Sequence, residues 1–84
     1  MVRCWLVERD YWDEDLVTLV YATPDGERAH HRQLSSALLQ KTSVTAAREI
    51  DDDDLNAVED AETRERYAAE AERMARKYEP SDDV

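Results

Sequence analysis

The residues best suited to chemistry lie in one short segment, Arg28-Ala29-His30-His31-Arg32. Successive side chains of a strand point to opposite faces, so the two histidines cannot hold one metal ion together without a bend. The same alternation places Arg28, His30 and Arg32 on one face, where they form a small basic stripe. Arginine recognises phosphate oxygens well, so the stripe could bind a phosphate or an RNA backbone. We favour the alternative that these cations pair with carboxylates of facing strands or of a second subunit.

A run of four aspartates, residues 51–54, is the second candidate site. Divalent cations such as calcium prefer oxygen ligands, which carboxylates supply. A calcium loop, however, spaces its acids at alternate positions, contains a glycine turn and ends on a bidentate glutamate, and this run has none of those features. We therefore expect a solvated loop here, with no metal and no cofactor.

Cys4 is the only cysteine, which excludes an intramolecular disulfide and a multi-cysteine metal site. Together with a histidine it could form a nucleophile and base, but its apolar neighbours predict a buried thiol. Gly26 is the only glycine, and the sequence contains no glycine-rich phosphate loop, serine elbow or zinc-binding helix motif. We therefore expect a protein without catalytic activity.

Three strands are predicted in the first part of the chain. Residues 2–8 form a strand with Val2, Cys4 and Leu6 on one face and Trp5 and Val7 on the other. Residues 16–22 are rich in β-branched and aromatic side chains, and an acidic turn at 10–15 lies between the two strands. Thr23-Pro24-Asp25-Gly26 is a strong hairpin signal. The third strand, residues 27–33, is more polar and is expected near an edge of the sheet.

The middle of the chain has weaker signals. Residues 34–41 predict a short helix that Ser35 could cap, and residues 42–50 predict a fourth strand. Residues 55–58, after the aspartate run, are expected to form a loop or a single helical turn.

A long helix is predicted over residues 61–78, with Asp60 as its N-cap and an apolar stripe at Tyr67, Ala71 and Met74. The predicted fold is α+β, an antiparallel meander of three to four strands with this amphipathic helix packed on one face. Residues 1–79 form the single domain, and residues 80–84 are expected to fray after Pro80.

The first two strands carry large apolar side chains on both faces, although one helix covers only one face. Large apolar patches are uncommon on monomers, so we predict that a second copy of the chain covers the other face around a two-fold axis. The alternative is that residues 34–60 cover this face within one chain. The candidate interface residues are Trp5, Val7, Val17, Leu19 and Tyr21.

Charge dominates the composition: 21 acidic and 11 cationic residues give a net charge of −10 in 84 residues. Such a chain repels itself in dilute buffer, whereas at molar salt the Debye length falls to about 3 Å and the repulsion is screened. The composition is therefore typical of a salt-rich cytoplasm, and it disfavours membrane surfaces and nonspecific nucleic-acid binding. Neither a signal peptide nor an apolar run of about 20 residues is present, so we expect a cytoplasmic protein.

Three segments of the chain stand out together: Val2-Arg3-Cys4-Trp5-Leu6-Val7-Glu8-Arg9, Val20-Tyr21-Ala22-Thr23-Pro24-Asp25-Gly26-Glu27-Arg28, and Glu65-Arg66-Tyr67-Ala68-Ala69-Glu70 with Met74 and Ala75. Together they resemble a group of small uncharacterised proteins of salt-loving archaea. The resemblance implies the cellular setting but transfers no activity and no functional residue. The best-supported expectation is a small non-catalytic interaction or accessory protein, homodimeric and adapted to high salt, with phosphate or RNA binding as the alternative.

Overall fold

A computed structural model of the chain describes residues 1–11 and 15–84. The predicted α+β class, antiparallel sheet and C-terminal helix are confirmed. A 3₁₀ turn at Asp52–Asp54 precedes the last strand. The elements are β1 (Val2–Tyr11), β2 (Leu16–Ala22), β3 (Arg28–Ser35), α1 (Ser36–Lys41), β4 (Ala47–Ile50), β5 (Asn56–Ala57) and α2 (Ala61–Lys77). Residues 12–14 of the predicted acidic turn lie outside the described residues.

The sheet has the strand order β4-β1-β2-β3-β5, and every neighbouring pair is antiparallel. The meander of β1, β2 and β3 forms its centre, as predicted. The sheet has five strands rather than three or four because residues 55–58, expected as a loop or a turn, contain β5. This two-residue strand pairs with the start of β3, where Arg28 faces Ala57.

The short connection between the two edge strands indicates that the sheet is curved. β4 ends at Ile50 and β5 begins at Asn56, with a 3₁₀ turn between them. This connection reaches about 16 Å, less than the roughly 19 Å that separates the outer strands of a flat five-stranded sheet. Accordingly, His30 of β3 and Arg48 of β4 line the same surface depression.

A β-bulge in β1 decides which side chains share a face. The register shifts between Leu6 and Glu8, so that Leu6 faces Tyr21 of β2 while Trp5 faces Ala22. Trp5 and Tyr21 therefore point to opposite faces of the sheet. Helix α2 packs on the Trp5 face and buries Tyr67, Ala71 and Met74.

The opposite face, which carries Tyr21, is also covered within the chain. The Tyr21 hydroxyl donates a hydrogen bond of 3.1 Å to the carbonyl oxygen of Thr45. Leu39 and Val44, in the same connection between β3 and β4, are partly buried against the core. This arrangement corresponds to the sequence alternative in which residues 34–60 cover the second face.

Both helices begin at the predicted caps. The Ser35 hydroxyl accepts a hydrogen bond from the Leu38 backbone N–H at 3.1 Å. The Asp60 carboxylate accepts one from the Thr63 N–H at 3.0 Å. These bonds satisfy donors that have no partner inside the helix.

The end of the chain forms backbone hydrogen bonds with another segment, although the sequence predicts that residues 80–84 fray. Pro80 O accepts a hydrogen bond from Ala47 N at 3.0 Å, and Asp82 O accepts one from Ala46 N at 2.9 Å. Val84 N donates to the carbonyl of Val44 at 2.9 Å. The tail therefore pairs with the segment that leads into β4, and backbone hydrogen bonds replace the expected fraying.

The hairpin turn between β2 and β3 is held by its own side chains. Gly26 N donates to Thr23 O at 2.8 Å, and Gly26 has a φ of 73°, a left-handed conformation that favours glycine. The Thr23 hydroxyl donates a 2.6 Å hydrogen bond to the Asp25 carboxylate. The same carboxylate accepts the N–H of Glu27 at 3.0 Å.

These hydrogen bonds give the turn a pH dependence. The Thr23 hydroxyl, and after it the Glu27 N–H, lower the pKa of Asp25 below its ordinary value. A carboxyl with a lowered pKa in the folded state adds stability above its unfolded pKa of about 3.9, and this is lost as pH falls through the folded pKa. We expect Thr23→Val to raise the pKa of Asp25, as measured by NMR titration. The variant should also lose less stability than the wild type when the pH falls. An unchanged Asp25 titration in Thr23→Val would contradict this.

Candidate functional site

The structure places Arg28, His30 and Arg32 on the same face of β3. In the register with β2, His30 faces Tyr21 and Arg32 faces Leu19, so the stripe lies on the Tyr21 face of the sheet. The strand holds these side chains in order because its backbone pairs with β2 along its whole length.

The aspartate run partners the first half of this stripe. Arg28 Nη1 lies 3.3 Å from Asp52 Oδ1, and the ring nitrogen Nδ1 of His30 lies 3.1 Å from the carbonyl oxygen of Asp54. The two features that the sequence offered as separate candidate sites therefore meet each other. Arg28 therefore has the carboxylate partner that we favoured for the cations of this stripe.

The second half of the stripe gains an arginine from β4. Arg48 joins His30 and Arg32 around a shallow depression of about 280 Å³. Its guanidinium lies 5.9 Å from the centroid of the Tyr21 ring. Across residues 1–11 and 15–84, neither Arg32 nor Arg48 forms an ion pair.

The depression is not uniformly positive. Glu49, Asp51 and Asp54 also line it. Burial raises the pKa of the Tyr21 phenol, while the nearby charges of Arg48 and Arg32 lower it. Positive and negative side chains therefore line the same depression, and Arg48 is the arginine that lies over the Tyr21 ring.

A longer sequence signal accompanies this cluster, and our sequence analysis missed it. From Arg28 to Arg48 the chain contains no acidic residue, although 21 of its 84 residues are acidic. The same segment carries four of the 11 cations. A charge count along the chain in windows would have found this acid-free segment, residues 28–48. It contains β3, α1 and the start of β4.

The structure groups no ligands for a metal at the aspartate run. In the part of the chain that it describes, no three His, Cys, Asp or Glu side chains are placed to hold one ion. Two of the aspartates instead contact the basic stripe, Asp52 through its carboxylate and Asp54 through its backbone. None of the helices in residues 1–11 and 15–84 is long and apolar enough to span a membrane.

Cys4 is fully buried and lies in the core rather than in a cleft. Its Sγ lies 3.7 Å from the carbonyl oxygen of Val2. Burial raises the pKa of the thiol, against a smaller opposing effect of the Arg28 charge. A buried thiol with a raised pKa is a poor nucleophile.

We therefore expect iodoacetamide to alkylate native Cys4 at least about 100-fold more slowly than the same thiol in concentrated guanidinium chloride, because only opened molecules expose it. Mass spectrometry of quenched samples measures both rates. A native thiol that reacted as fast as the denatured one would return Cys4 to the list of candidate nucleophiles.

The five residues predicted at a dimer interface are all buried within one chain. The exposed fractions are 8% for Trp5, 9% for Val7 and 1% each for Val17, Leu19 and Tyr21. Because of the bulge in β1, Trp5 points toward α2, away from the face of Tyr21. These side chains therefore need no second subunit for their burial, because α2 covers one face and the β3–β4 connection covers the other. Self-association through another surface stays a prediction.

Comparison with known proteins gives a family but no activity. No curated protein and no solved structure matches the chain. The match to a protein family extends over residues 1–84, which is the full length of the chain. The chain therefore belongs to the Family of unknown function (DUF7967).

Proposed function

We propose that this protein is a small non-catalytic accessory protein of a salt-rich cytoplasm, and that it acts by binding an acidic partner. The uneven distribution of charge carries the proposal. The acid-free segment holds four cations and no acid, while the rest of the chain holds seven cations and 21 acids. A positive surface on a strongly negative protein orients a negative partner toward one side.

The environment of the candidate nucleophile and base supports a binding role over catalysis. Cys4 is buried with a raised pKa, and the ring of His30 contacts the carbonyl of Asp54 rather than a thiol or a hydroxyl. A nucleophilic thiol is activated by a base within hydrogen-bond reach or by a lowered pKa. Neither residue has this geometry.

Adaptation to salt is consistent with how the fold is held together. The ion pairs in the described residues are exposed, from Arg3–Glu49 at 3.5 Å to Arg76–Glu72 at 2.5 Å. Exposed pairs contribute about 0–1 kcal/mol and less when salt screens them. Stability at high salt therefore comes from the buried core, while screening removes the repulsion of a net charge of −10.

The proposal is tested by titrating the protein with a fluorescent oligoglutamate peptide in dilute and in molar potassium chloride. We expect the double variant Arg32→Glu/Arg48→Glu to bind at least about tenfold more weakly than the wild type. The control Arg73→Glu/Arg76→Glu makes the same change in net charge on the outer face of α2 and should retain binding. Equal losses in both variants, or no binding by the wild type, would refute an acidic partner at this surface.

Binding of phosphate or RNA is the second candidate, and one observation favours it. Arg32 and Arg48 border the same depression as His30, and neither forms an ion pair among the described residues. The three acidic side chains around the depression, Glu49, Asp51 and Asp54, oppose an RNA and an acidic peptide alike, so they do not decide between the two candidates. An oligouridylate of matched charge, titrated in the same way, decides between the candidates. Tighter RNA binding that the Arg32→Glu/Arg48→Glu variant abolishes would establish the RNA candidate and replace the acidic protein partner.

Self-association can be measured on the same purified protein. Light scattering in molar potassium chloride distinguishes a mass of 9.8 kDa from twice that value. A dimer that survives substitution of exposed residues in the acid-free segment would associate through a surface outside that segment.

A further inference from the structure

We infer that the outer edge of β3 accepts an acidic, extended segment of a partner protein as an additional strand. The inference rests on the proposed function and specifies how the partner is held. Two independent features support it, the direction of the β3 backbone groups and the charge of the side chains beside them.

The hydrogen bonds at both ends of β3 show which residues face β2. Arg28 O accepts from Thr23 N at 3.0 Å, and Ser36 N donates to Asp15 O at 2.8 Å. The register between β2 and β3 is unbroken from one end to the other. The even-numbered residues of β3 therefore direct their N–H and C=O groups toward β2.

The odd-numbered residues direct the same groups away from β2. Glu27 O, just before the strand, accepts from Val58 N at 2.8 Å on the outer side. Next to it, β5 pairs only with Arg28 and Ala29. Beyond β5, the outward groups belong to His31 and Gln33. Within residues 1–11 and 15–84, no backbone group forms a hydrogen bond with them.

An unpaired edge of this kind is a template for another strand. Natural proteins protect such edges with charge, proline or a bulge. Beyond β5, the charge on β3 itself is that of Arg32, because Arg28 pairs with Asp52 and the strand carries no acidic residue. Positive charge repels a basic strand but does not repel an acidic one.

The same charge argues against a second copy of the chain as the occupant. If two β3 strands paired around a two-fold axis, the arginines and histidines of one would lie beside those of the other. Like charges on facing strands destabilise the pair. An acidic strand, in contrast, would place its carboxylates beside Arg32, where arginine forms short charge-assisted hydrogen bonds.

Strand addition also suits a salt-rich medium. Long-range attraction between charges is largely screened at molar salt. Backbone hydrogen bonds act at contact, and in strand addition they supply affinity while side-chain contacts supply specificity. The proposed mode therefore retains binding where charge attraction alone would weaken.

The test uses a labelled peptide of alternating glutamate and valine, which favours an extended strand. Gln33→Pro removes the outward N–H while leaving the ladder to β2, which uses the even-numbered residues, intact. We expect Gln33→Pro to weaken binding by about tenfold or more, since the added strand loses hydrogen bonds at its centre. The control Gln33→Ala keeps the N–H and should bind within about twofold of the wild type.

A second measurement keeps the wild-type protein, so the test does not depend on the folding of Gln33→Pro. The same peptide with alternate backbone nitrogens methylated should not bind if its N–H groups pair with β3. Hydrogen exchange at the amides of His31 and Gln33 should slow when the unmodified peptide is present.

Each outcome separates this inference from the proposed function. Peptide binding that Arg32→Glu/Arg48→Glu abolishes, but that Gln33→Pro and methylation leave unchanged, would keep the acidic partner and overturn strand addition. Protection of His31 and Gln33 without peptide, with a mass of twice 9.8 kDa, would show that a second copy occupies the edge and would also overturn it.

Discussion

Gly26→Ala is expected to lower the free energy of unfolding by about 3 kcal/mol or more. Two effects add, because alanine is strained in a left-handed backbone and because its methyl group overpacks the contact with the helix. Gly26 has a φ of 73°, a backbone conformation that is energetically unfavourable for any residue with a side chain. A Cβ at this position would lie 2.2 Å from the carbonyl oxygen of Arg64 and 2.8 Å from the N of Ala68. Both are backbone atoms of α2, so no rotation of a side chain relieves the clash.

Denaturant unfolding in molar potassium chloride measures this loss. Glu27→Ala is the matched control, because it adds no atoms at the neighbouring exposed position and should stay within about 0.5 kcal/mol of the wild type. A Gly26→Ala variant within about 1 kcal/mol of the wild type would mean that α2 does not approach the turn as closely as described.

Tyr21→Ala is expected to cost about 3–5 kcal/mol, the range for removing a large buried aromatic side chain. Tyr21 is 1% exposed and lies in the centre of the sheet. Tyr21→Phe keeps the ring and loses only the 3.1 Å hydrogen bond to Thr45 O, so about 1 kcal/mol is expected.

The same variants test which chain covers this face. If the β3–β4 connection of the same chain covers Tyr21, the denaturation midpoints of wild type and variants are independent of protein concentration. A wild-type midpoint that rises with protein concentration, together with a Tyr21→Ala midpoint that does not, would show that a second copy contributes to the burial of Tyr21.

Local signals in the sequence predicted much of the fold. Strand β2 was predicted with its observed bounds, and the caps Ser35 and Asp60 and the Thr23–Gly26 turn were predicted correctly. Each depends on residues close in the chain, such as a capping oxygen near a free N–H. The fold class followed from these elements and from the apolar stripe of α2.

The errors came from pairing between distant segments. Without the bulge between Leu6 and Glu8, Val7 rather than Leu6 would face Tyr21, and Trp5 would share that face as we assumed. A shift by one residue exchanges the two faces of a strand, and nothing in the local sequence marks it. Likewise β5 and the ordered tail exist only because β3 and the segment before β4 offer them backbone partners.

In the candidate site, too, the sequence predicted the local arrangement but not the contacts between distant segments. Alternation along a strand was enough to place Arg28, His30 and Arg32 on one face. The curvature of the sheet, which brings Arg48 to them, and the return of the aspartate run over Arg28 depend on the path of the whole chain. The sequence contained one further usable signal, the acid-free segment.

The contact between Gly26 and α2 also constrains the order of folding. The helix surface near Arg64 and Ala68 fits a glycine in a left-handed turn, and that turn is held by local hydrogen bonds within the hairpin of β2 and β3. The other end of the helix leads to a tail that pairs with residues 44–47, far away along the chain. We therefore expect the central hairpin to form before the helix docks, and the late closure of these long loops to make folding slow for so short a chain.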